Sequence, residues 1–301
     1  MDKRIINMGH SHNAGNTKNV ATAFFLNLGF TIIELIGGIL TNSIAIQSDA
    51  LHDAGDTISL GFAWYFQRLS DKGRDKKFTY GYKRFNTLGA IITGVVLAAG
   101  SVYILTEAVP RLFNPEETNV QGMIWLAVLG VLVNGFAAFR LKKGGDSLNE
   151  QVMTWHLLED VLGWVAVLVG SVVMYFYDAP WIDPALSIGI TLYVLINVVK
   201  KLWMAGKIIL QATPDGIDPL AIKNKLESIE EVQKAHHIHL WTLDGEYNLL
   251  SAHIQTDKNR TISELEPIKE IIYSALQEQF HVDHITLEFE PLDKIQLNDK
   301  I

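Results

Sequence analysis

Thr87-Leu-Gly-Ala-Ile-Ile-Thr-Gly-Val-Val-Leu-Ala-Ala-Gly-Ser-Val-Tyr-Ile-Leu-Thr106 runs for 20 residues without one Asp, Glu, Lys or Arg. A helix of that length rises about 30 Å, the thickness of a bilayer's hydrocarbon core. Thr118–Phe139 has the same character. Helices buried in a large soluble protein show a polar face every turn, and these runs do not. Working outward, six windows of membrane-helix length are expected: Val20–Leu40, Ile44–Phe66, Asn86–Glu107, Gly122–Phe139, Val152–Tyr177 and Trp181–Leu202. The third and fourth read as lipid-facing scaffold.

Loop charge sets the expected orientation, because Lys and Arg concentrate in short cytoplasmic loops. Thr41–Ser43 and Asp178–Pro180 hold no basic residue, and the third-to-fourth connection holds only Arg111. The opposite side carries Lys3, Arg4 and Lys18, then Arg68, Lys72, Arg74, Lys76, Lys77, Lys83 and Arg84, then Arg140, Lys142 and Lys143. Both termini are therefore expected in the cytoplasm of a multi-pass protein, with the cell inner (plasma) membrane as its location. Residues 1–19 are polar and lack the apolar segment of a secretory signal, so the first span reads as retained.

The expected organisation is an N-terminal tail over 1–19, a membrane domain over 20–211, a soluble domain over 212–292 and a tail over 293–301. The soluble part reads α-β-β-α-β: a helix at Pro219–Ile229, strands at Lys234–Leu243 and Glu246–Thr256 around a tight Asp244-Gly245 turn, a helix at Ser263–Phe280 opened by a Ser263/Glu266 capping box, and a strand at His284–Glu290. That order suggests a small open sheet backed by two helices.

Charge is divided between the halves. Residues 212–301 hold 8 Lys and Arg against 17 Asp and Glu, a net of −9, which leaves 17 against 16 for residues 1–211. No basic stripe is available for phosphates, so nucleic acid is excluded as a partner. With no Cys in the 301 residues, any bound metal must be held by imidazole, carboxylate or amide.

Ionisable groups inside spans are costly and usually face a bundle interior or a water-filled path. The second span carries Asp49, His52, Asp53 and Asp56, and the i, i+3, i+4, i+7 spacing puts them on one helix face within about 100°. The fifth carries His156, Glu159 and Asp160. His-x-x-x-Asp occurs in both, as His52 to Asp56 and His156 to Asp160, and stacks an imidazole nitrogen and a carboxylate oxygen one turn apart. Facing each other, the two pairs supply four ligands. Two His and two Asp in a tetrahedron suit Zn²⁺, with Co²⁺ and Cd²⁺ tolerated, whereas Mg²⁺ and Ca²⁺ prefer six or more oxygens. The bland alternative is a pair of neutralising bridges between helices, less apt for a motif that occurs twice. Because ligation needs neutral imidazole and ionised carboxylate, metal and H⁺ compete for the same atoms, which couples their movements. Asp49 and Asp53 either tune the site or line its cytoplasmic approach.

The stretch Glu34-Leu-Ile-Gly-Gly-Ile-Leu-Thr-Asn-Ser-Ile-Ala-Ile-Gln-Ser-Asp-Ala-Leu-His-Asp-Ala-Gly-Asp56 strongly resembles the first two spans of cation diffusion facilitators, particularly the bacterial cobalt–zinc–cadmium efflux members. Phe78-Thr-Tyr-Gly-Tyr-Lys-Arg-Phe85, Trp155-His-Leu-Leu-Glu-Asp160, Asp183-Pro-Ala, His236-His-Ile-His-Leu-Trp-Thr242 and Ser251-Ala-His253 extend the likeness over residues 18–291. The resemblance implies a homodimeric zinc/proton antiporter with six spans and a cytoplasmic ferredoxin-like α+β domain, and its transport site falls on His52, Asp56, His156 and Asp160. It also implies a dimer-stabilising metal site in the soluble domain at His236, His253 and Glu290, with Asp283 or His284 nearby. No prosthetic group is expected; the resemblance implies Zn²⁺, Cd²⁺ or Co²⁺ as substrate, with a structural ion in the soluble domain.

Two departures stand out. Asp53 and Glu159 add acids beside the transport motifs where relatives often carry apolar or small residues. The Leu141–Gln151 loop holds no His, unlike the His-rich loop of many eukaryotic relatives, and His10 and His12 form the only histidine pair before the first span. Two rival activities meet obstacles. A membrane metallohydrolase needs three protein ligands, an open position for water and a base such as Glu159, but the chain has no His-Glu-x-x-His and four ligands leave no such position. A passive divalent-cation channel would also place acids on one helix face, yet tight tetrahedral ligation releases its ion slowly. Regulation by metal sensing in the acidic soluble domain is compatible with transport, since a net charge of −9 concentrates cations nearby.

Overall fold

In a computed structural model of the chain, residues 14–70, 73–142, 148–257 and 260–291 are described. His10, His12, Lys3, Arg4, Lys72, Lys143, most of the loop 141–151 and the tail 293–301 lie outside the described residues or their described side chains. The element order is α1 (Ala14–Thr41), α2 (Ile44–Ser70), α3 (Arg84–Phe113), α4 (Val120–Lys142), α5 (Leu148–Phe176), α6 (Ile182–Ile209), α7 (Pro219–Glu227), β1 (Lys234–Thr242), β2 (Asn248–Thr256), α8 (Ile262–Phe280) and β3 (Val282–Pro291). They form two compact units, Met1–Asp71 with Gly89–Leu202, and Lys72–Leu88 with Trp203–Ile301.

In the first unit, among the described residues, five helices are long and apolar enough to cross a membrane: Phe24–Thr41, Arg84–Phe113, Val120–Arg140, Thr154–Phe176 and Ile182–Ile209. The expectation was six. α2 falls short because Asp49, Asp53 and Asp56 all lie in its first half. Helix α1 packs along α2, and α4 along α5. The α4–α5 contact depends on Gly130, since a Cβ there would stand 2.2 Å from the indole of the fully buried Trp164. Ala45, Ile46, Met123, Ala127, Trp164 and Val167 make the core between α2, α4 and α5. The other side of α4 exposes Trp125, Leu132, Phe136 and Phe139, as a lipid-facing helix should.

The start of α2 is held by another helix. Asp183, in the first turn of α6 and 1% exposed, accepts from the Ser43 hydroxyl at 2.5 Å and from the amides of Ile44 at 2.8 Å and Ala45 at 3.3 Å. It thereby satisfies amides that a helix N-terminus leaves without intrahelical partners, and its negative charge suits the α2 dipole. Ser48 and Thr191 add a second α2–α6 bond at 2.7 Å.

The second unit is built on a sheet of order β1-β2-β3, with β1 antiparallel and β3 parallel to β2. Its core joins Ile222 and Leu226 of α7, Ile268, Ile272 and Leu276 of α8, and Ala235, Leu240, Ala252, Ile254 and Ile285 of the strands. Asp218 caps α7, its carboxylate accepting from the Leu220 amide at 2.9 Å.

Several element ends differ from expectation. The β1–β2 connection spans residues 243–247 rather than a tight two-residue turn: Asp244 Oδ1 accepts the amides of Glu246 and Tyr247, and Gly245 takes φ 101°. The capping box of α8 uses Thr261 and Glu264, not Ser263 and Glu266. Glu264 Oε2 accepts from the Thr261 amide at 2.7 Å and hydroxyl at 2.9 Å, so the helix starts at Ile262 and places Ser263 inside its first turn. β3 starts two residues early, at Val282, because pairing with β2 begins at Asn248.

Asp183→Ala should lower thermal stability of the detergent-solubilised chain by about 3 kcal/mol, since it orphans buried donors of a charged hydrogen-bond set, with Asp183→Asn in between; an unchanged melting midpoint would contradict the capping role. The Thr261 donors hold the Glu264 carboxyl below the usual carboxylate range. Its contribution is thus present above its unfolded value of about 4.3 and is lost as pH falls through the lower folded value. Acid unfolding of Glu264→Gln should lack that component.

Candidate metal centre

His52 and Asp56 lie one turn apart on α2, and His156 and Asp160 one turn apart on α5. The two helices bring all four together. Asp56 Oδ2 is 3.1 Å from His156 Nε2 and 3.6 Å from His52 Nε2, and Asp160 Oδ1 is 4.0 Å from His52 Nε2. The imidazole rings stand 5.9 Å apart at 76°. Donor atoms of His52, His156 and Asp160 all fall within 4.8 Å of one another. A tetrahedron with arms of 2.0–2.1 Å has edges of about 3.3 Å, so these spacings need only a small contraction to close on a zinc-sized ion. The donor set fits as well: His52 Nδ1 and Asp56 Oδ2 are buried and, among the described residues, make no hydrogen bond.

Asp49 and Asp53, each 6% exposed, lie beside this group. Asp49 Oδ1 packs 3.6 Å from where a Gly163 Cβ would stand on α5. The carboxyl of Asp53 meets that of Glu34 on α1, a residue sequence reasoning did not select as part of the site. Glu34 is 1% exposed, and among the described residues no hydrogen-bond partner in good geometry reaches either of its oxygens. Around them Asn27 donates to the Asp53 carbonyl at 3.2 Å and to the Thr57 hydroxyl at 2.9 Å, and Thr31 and Thr57 hydroxyls meet at 3.4 Å. Glu159 points elsewhere, its Oε1 accepting from the Tyr193 hydroxyl at 3.0 Å on the exposed side of α5 and α6.

A second group forms on the sheet. Strand register puts His236 directly opposite His253, and His253 opposite Glu288, while Glu290 follows two residues along β3 on the same face. Ala235, Ala252 and Ile254, of opposite parity, enter the hydrophobic core, so the histidines occupy the other face. Glu290 Oε1 lies 3.0 Å from His253 Nδ1, and its Oε2 lies 3.4 Å from His236 Nε2. Donor atoms of His236, His253 and Glu290 fall within 4.8 Å of one another, with His236 and Glu290 buried. Two imidazoles and a carboxylate suit Zn²⁺. Asp283 and His284 are not part of that group: Asp283 accepts the Asn248 amide at 2.8 Å, and the His284 ring stands against Tyr80 at 5.8 Å. Sequence reasoning also missed Glu288, 3.5 Å from His253 Nε2, and His237, whose ring centroid is 5.0 Å from that of His253.

Residues 20–210 match the family described as cation efflux transmembrane domain, and residues 214–292 the one described as cation efflux protein, cytoplasmic domain. The chain is 37% identical over 290 residues to a cadmium, cobalt and zinc/H(+)-K(+) antiporter of Bacillus subtilis, covering 94% of this chain and 92% of the relative. It is 32% identical to the metal cation efflux system protein CzcD of Cupriavidus metallidurans, covering 94% and 90%, and 28% identical to the zinc transporter ZitB of Escherichia coli, covering 94% and 93%.

Glu34→Gln supplies an N–H donor to Asp53 and removes one buried acid from a set with no Lys or Arg ion pair among the described residues. Two facing buried carboxyls share a proton, and the amide replaces that O–H donor with an N–H, so stability in detergent at neutral pH should change by less than about 1 kcal/mol; a larger loss would mean that the Glu34 carboxyl has a structural partner that an amide cannot replace.

Proposed function

The chain belongs to the cation efflux family, and from that premise we propose that it exports divalent transition-metal ions, zinc foremost and cadmium and cobalt as alternatives, from the cytoplasm in exchange for protons. The observation that carries this reading is the meeting of His52, Asp56, His156 and Asp160 between α2 and α5 at ligand-like spacing. The names of the relatives support the substrate class: cadmium, cobalt and zinc for the B. subtilis protein, zinc for that of E. coli.

In this reading the metal is cargo, bound from the cytoplasmic side by neutral imidazoles and ionised carboxylates. Protons arriving from the opposite side compete for the same nitrogens and oxygens and release it. Alternation between the two accessible states carries one cation out and returns protons inward. Asp49, Asp53 and Glu159 modulate the site or its approach. We take α2 as a sixth span whose charged face is covered by α1 and α5, with both termini in the cytoplasm and the plasma membrane as the location. The membrane domain then covers 20–211 between the short tail 1–19 and a ferredoxin-like cytoplasmic domain over 212–292, followed by the tail 293–301. That domain pairs two copies of the chain and holds a resident metal ion at His236, His253 and Glu290, where the donor chemistry fits zinc.

The test is zinc uptake into sealed proteoliposomes with an acidic lumen, following lumenal zinc and pH together. The native chain should accumulate zinc against its gradient and alkalinise the lumen, and Asp56→Ala and Asp160→Ala should each reduce transport at least about a hundredfold, while all three proteins insert equally. Downhill movement without a pH change would make the protein a channel, and normal transport by the variants would make the carboxylates structural. Repeating the assay with lumenal potassium replaced by choline decides whether potassium, named for the B. subtilis relative, is a counter-ion here.

A further inference from the structure

β1 does not run regularly past the metal group. His236 pairs with His253 and His239 with Ser251, so two residues of β1, His237 and Ile238, face the single residue Ala252 of β2. This is a β-bulge, and His237 sits in it at φ 46°, in the left-handed region that side-chain-bearing residues seldom adopt. In a regular strand His237 would point away from His236 and His253. The bulge turns it to their side: its ring centroid lies 5.2 Å from that of His236 and 5.0 Å from that of His253. His236 and His237 border a cleft of about 770 Å³, lined also by His239, Trp241 and Lys223.

We infer that His237 is the fourth metal ligand of the soluble domain, closing with His236, His253 and Glu290 a tetrahedral three-nitrogen, one-oxygen site supplied entirely by one chain. The inference rests on the proposal that the other three bind a resident metal. Three donors at mutual spacings up to 4.8 Å leave one tetrahedral position open, and structural zinc sites are closed by four protein ligands. Two side chains are near enough to fill it. Glu288 reaches His253 Nε2 at 3.5 Å, from a regular position on β3 where no bulge re-aims it. His237 stands with its ring 5.2 and 5.0 Å from the two histidine rings of the group and is exposed, so a change of side-chain rotamer is the movement that would bring a nitrogen to the ion. The bulge and the unfavourable φ have their explanation in that placement, since strained backbone persists where function requires a side chain to be re-aimed.

The experiment uses the full-length chain in detergent carrying Asp56→Ala and Asp160→Ala, which silences the membrane site, and reads Co²⁺ visible absorption, Zn²⁺ affinity by competition, and the melting midpoint without metal. The background should bind one Co²⁺ per chain with the intense bands of four-coordination. Adding His237→Gly should weaken those bands toward higher coordination and lower Zn²⁺ affinity at least about tenfold, the lower limit for losing even an outer partner of a ligand. Because glycine adopts positive φ freely, the metal-free midpoint should hold or rise, which loss of a merely structural residue would not produce. Adding Glu288→Gln instead should keep the four-coordinate spectrum. An unchanged spectrum and affinity in His237→Gly, or loss of four-coordination in Glu288→Gln alone, overturns the assignment of His237 while leaving the three-ligand site standing. Failure of the background to bind Co²⁺, or retention of binding in His253→Ala, overturns the three-ligand site and His237 with it.

Discussion

A carboxylate carried into the hydrocarbon of a bilayer must meet donors, a cation or a proton, and this constraint shapes the membrane unit more than any apolar contact does. Six of the carboxylates on its helices turn inward, and their surroundings sort them by role. Asp183 finds three donors at the start of α2 and becomes an anchor. Asp56 and Asp160 find imidazoles on two helices. Glu34, Asp49 and Asp53 find mainly one another, with threonine and asparagine around them. The first environment is fully satisfied, which suits an anchor. The second is satisfied only in part, which suits groups that exchange one cation for another.

The anchor and the ligands are linked through geometry. Fixing the first amides of α2 with Asp183 sets where that helix begins, and on a helix the starting point determines the direction of every later residue. His52 and Asp56, two to three turns on, face α5 because α2 can neither slide nor rotate at its start. On the other side, the missing Cβ of Gly130 lets α4 close on Trp164, which seats α5 and with it His156 and Asp160, one to two turns earlier in the same helix. A metal site whose halves lie on two helices is only as well defined as those two seatings.

What the sequence disclosed, and what it hid, follows the range of the interactions. Apolar runs and the His-x-x-x-Asp spacing are local patterns, so five of the spans and the meeting of His52, Asp56, His156 and Asp160 were legible before any fold was known. The second window, Ile44–Phe66, forms a helix too charged to qualify by composition, and no local pattern announces the neighbours α1 and α5 that pack on it. Glu34 is a lone acid in an apolar helix with no periodic partner, and its relation to Asp53 exists only once α1 packs on α2. Asp183 reaches across some 140 positions of chain to Ser43. In the soluble domain, closeness in sequence misled: Asp283 and His284 precede Glu290 on one strand, yet the parallel register carries them several residues from the metal group. His237 was hidden for the opposite reason, since strand alternation assigns neighbours to opposite faces and nothing in the residues 236–239 marks a bulge.

The two donor groups, chemically alike, are mounted differently. The sheet group hangs on hydrogen-bonded strands in register, which hold His236, His253 and Glu290 at fixed spacing. The membrane group bridges two helices that touch each other less than either touches its other neighbour, and His52 Nδ1, among the described residues, has no partner to hold its ring. A ligand whose far nitrogen is untethered turns at little cost, and a small relative movement of α2 and α5 pulls two donors from the other two. Mounted so, the proposed transport group suits release of an ion and the proposed sheet group suits its retention.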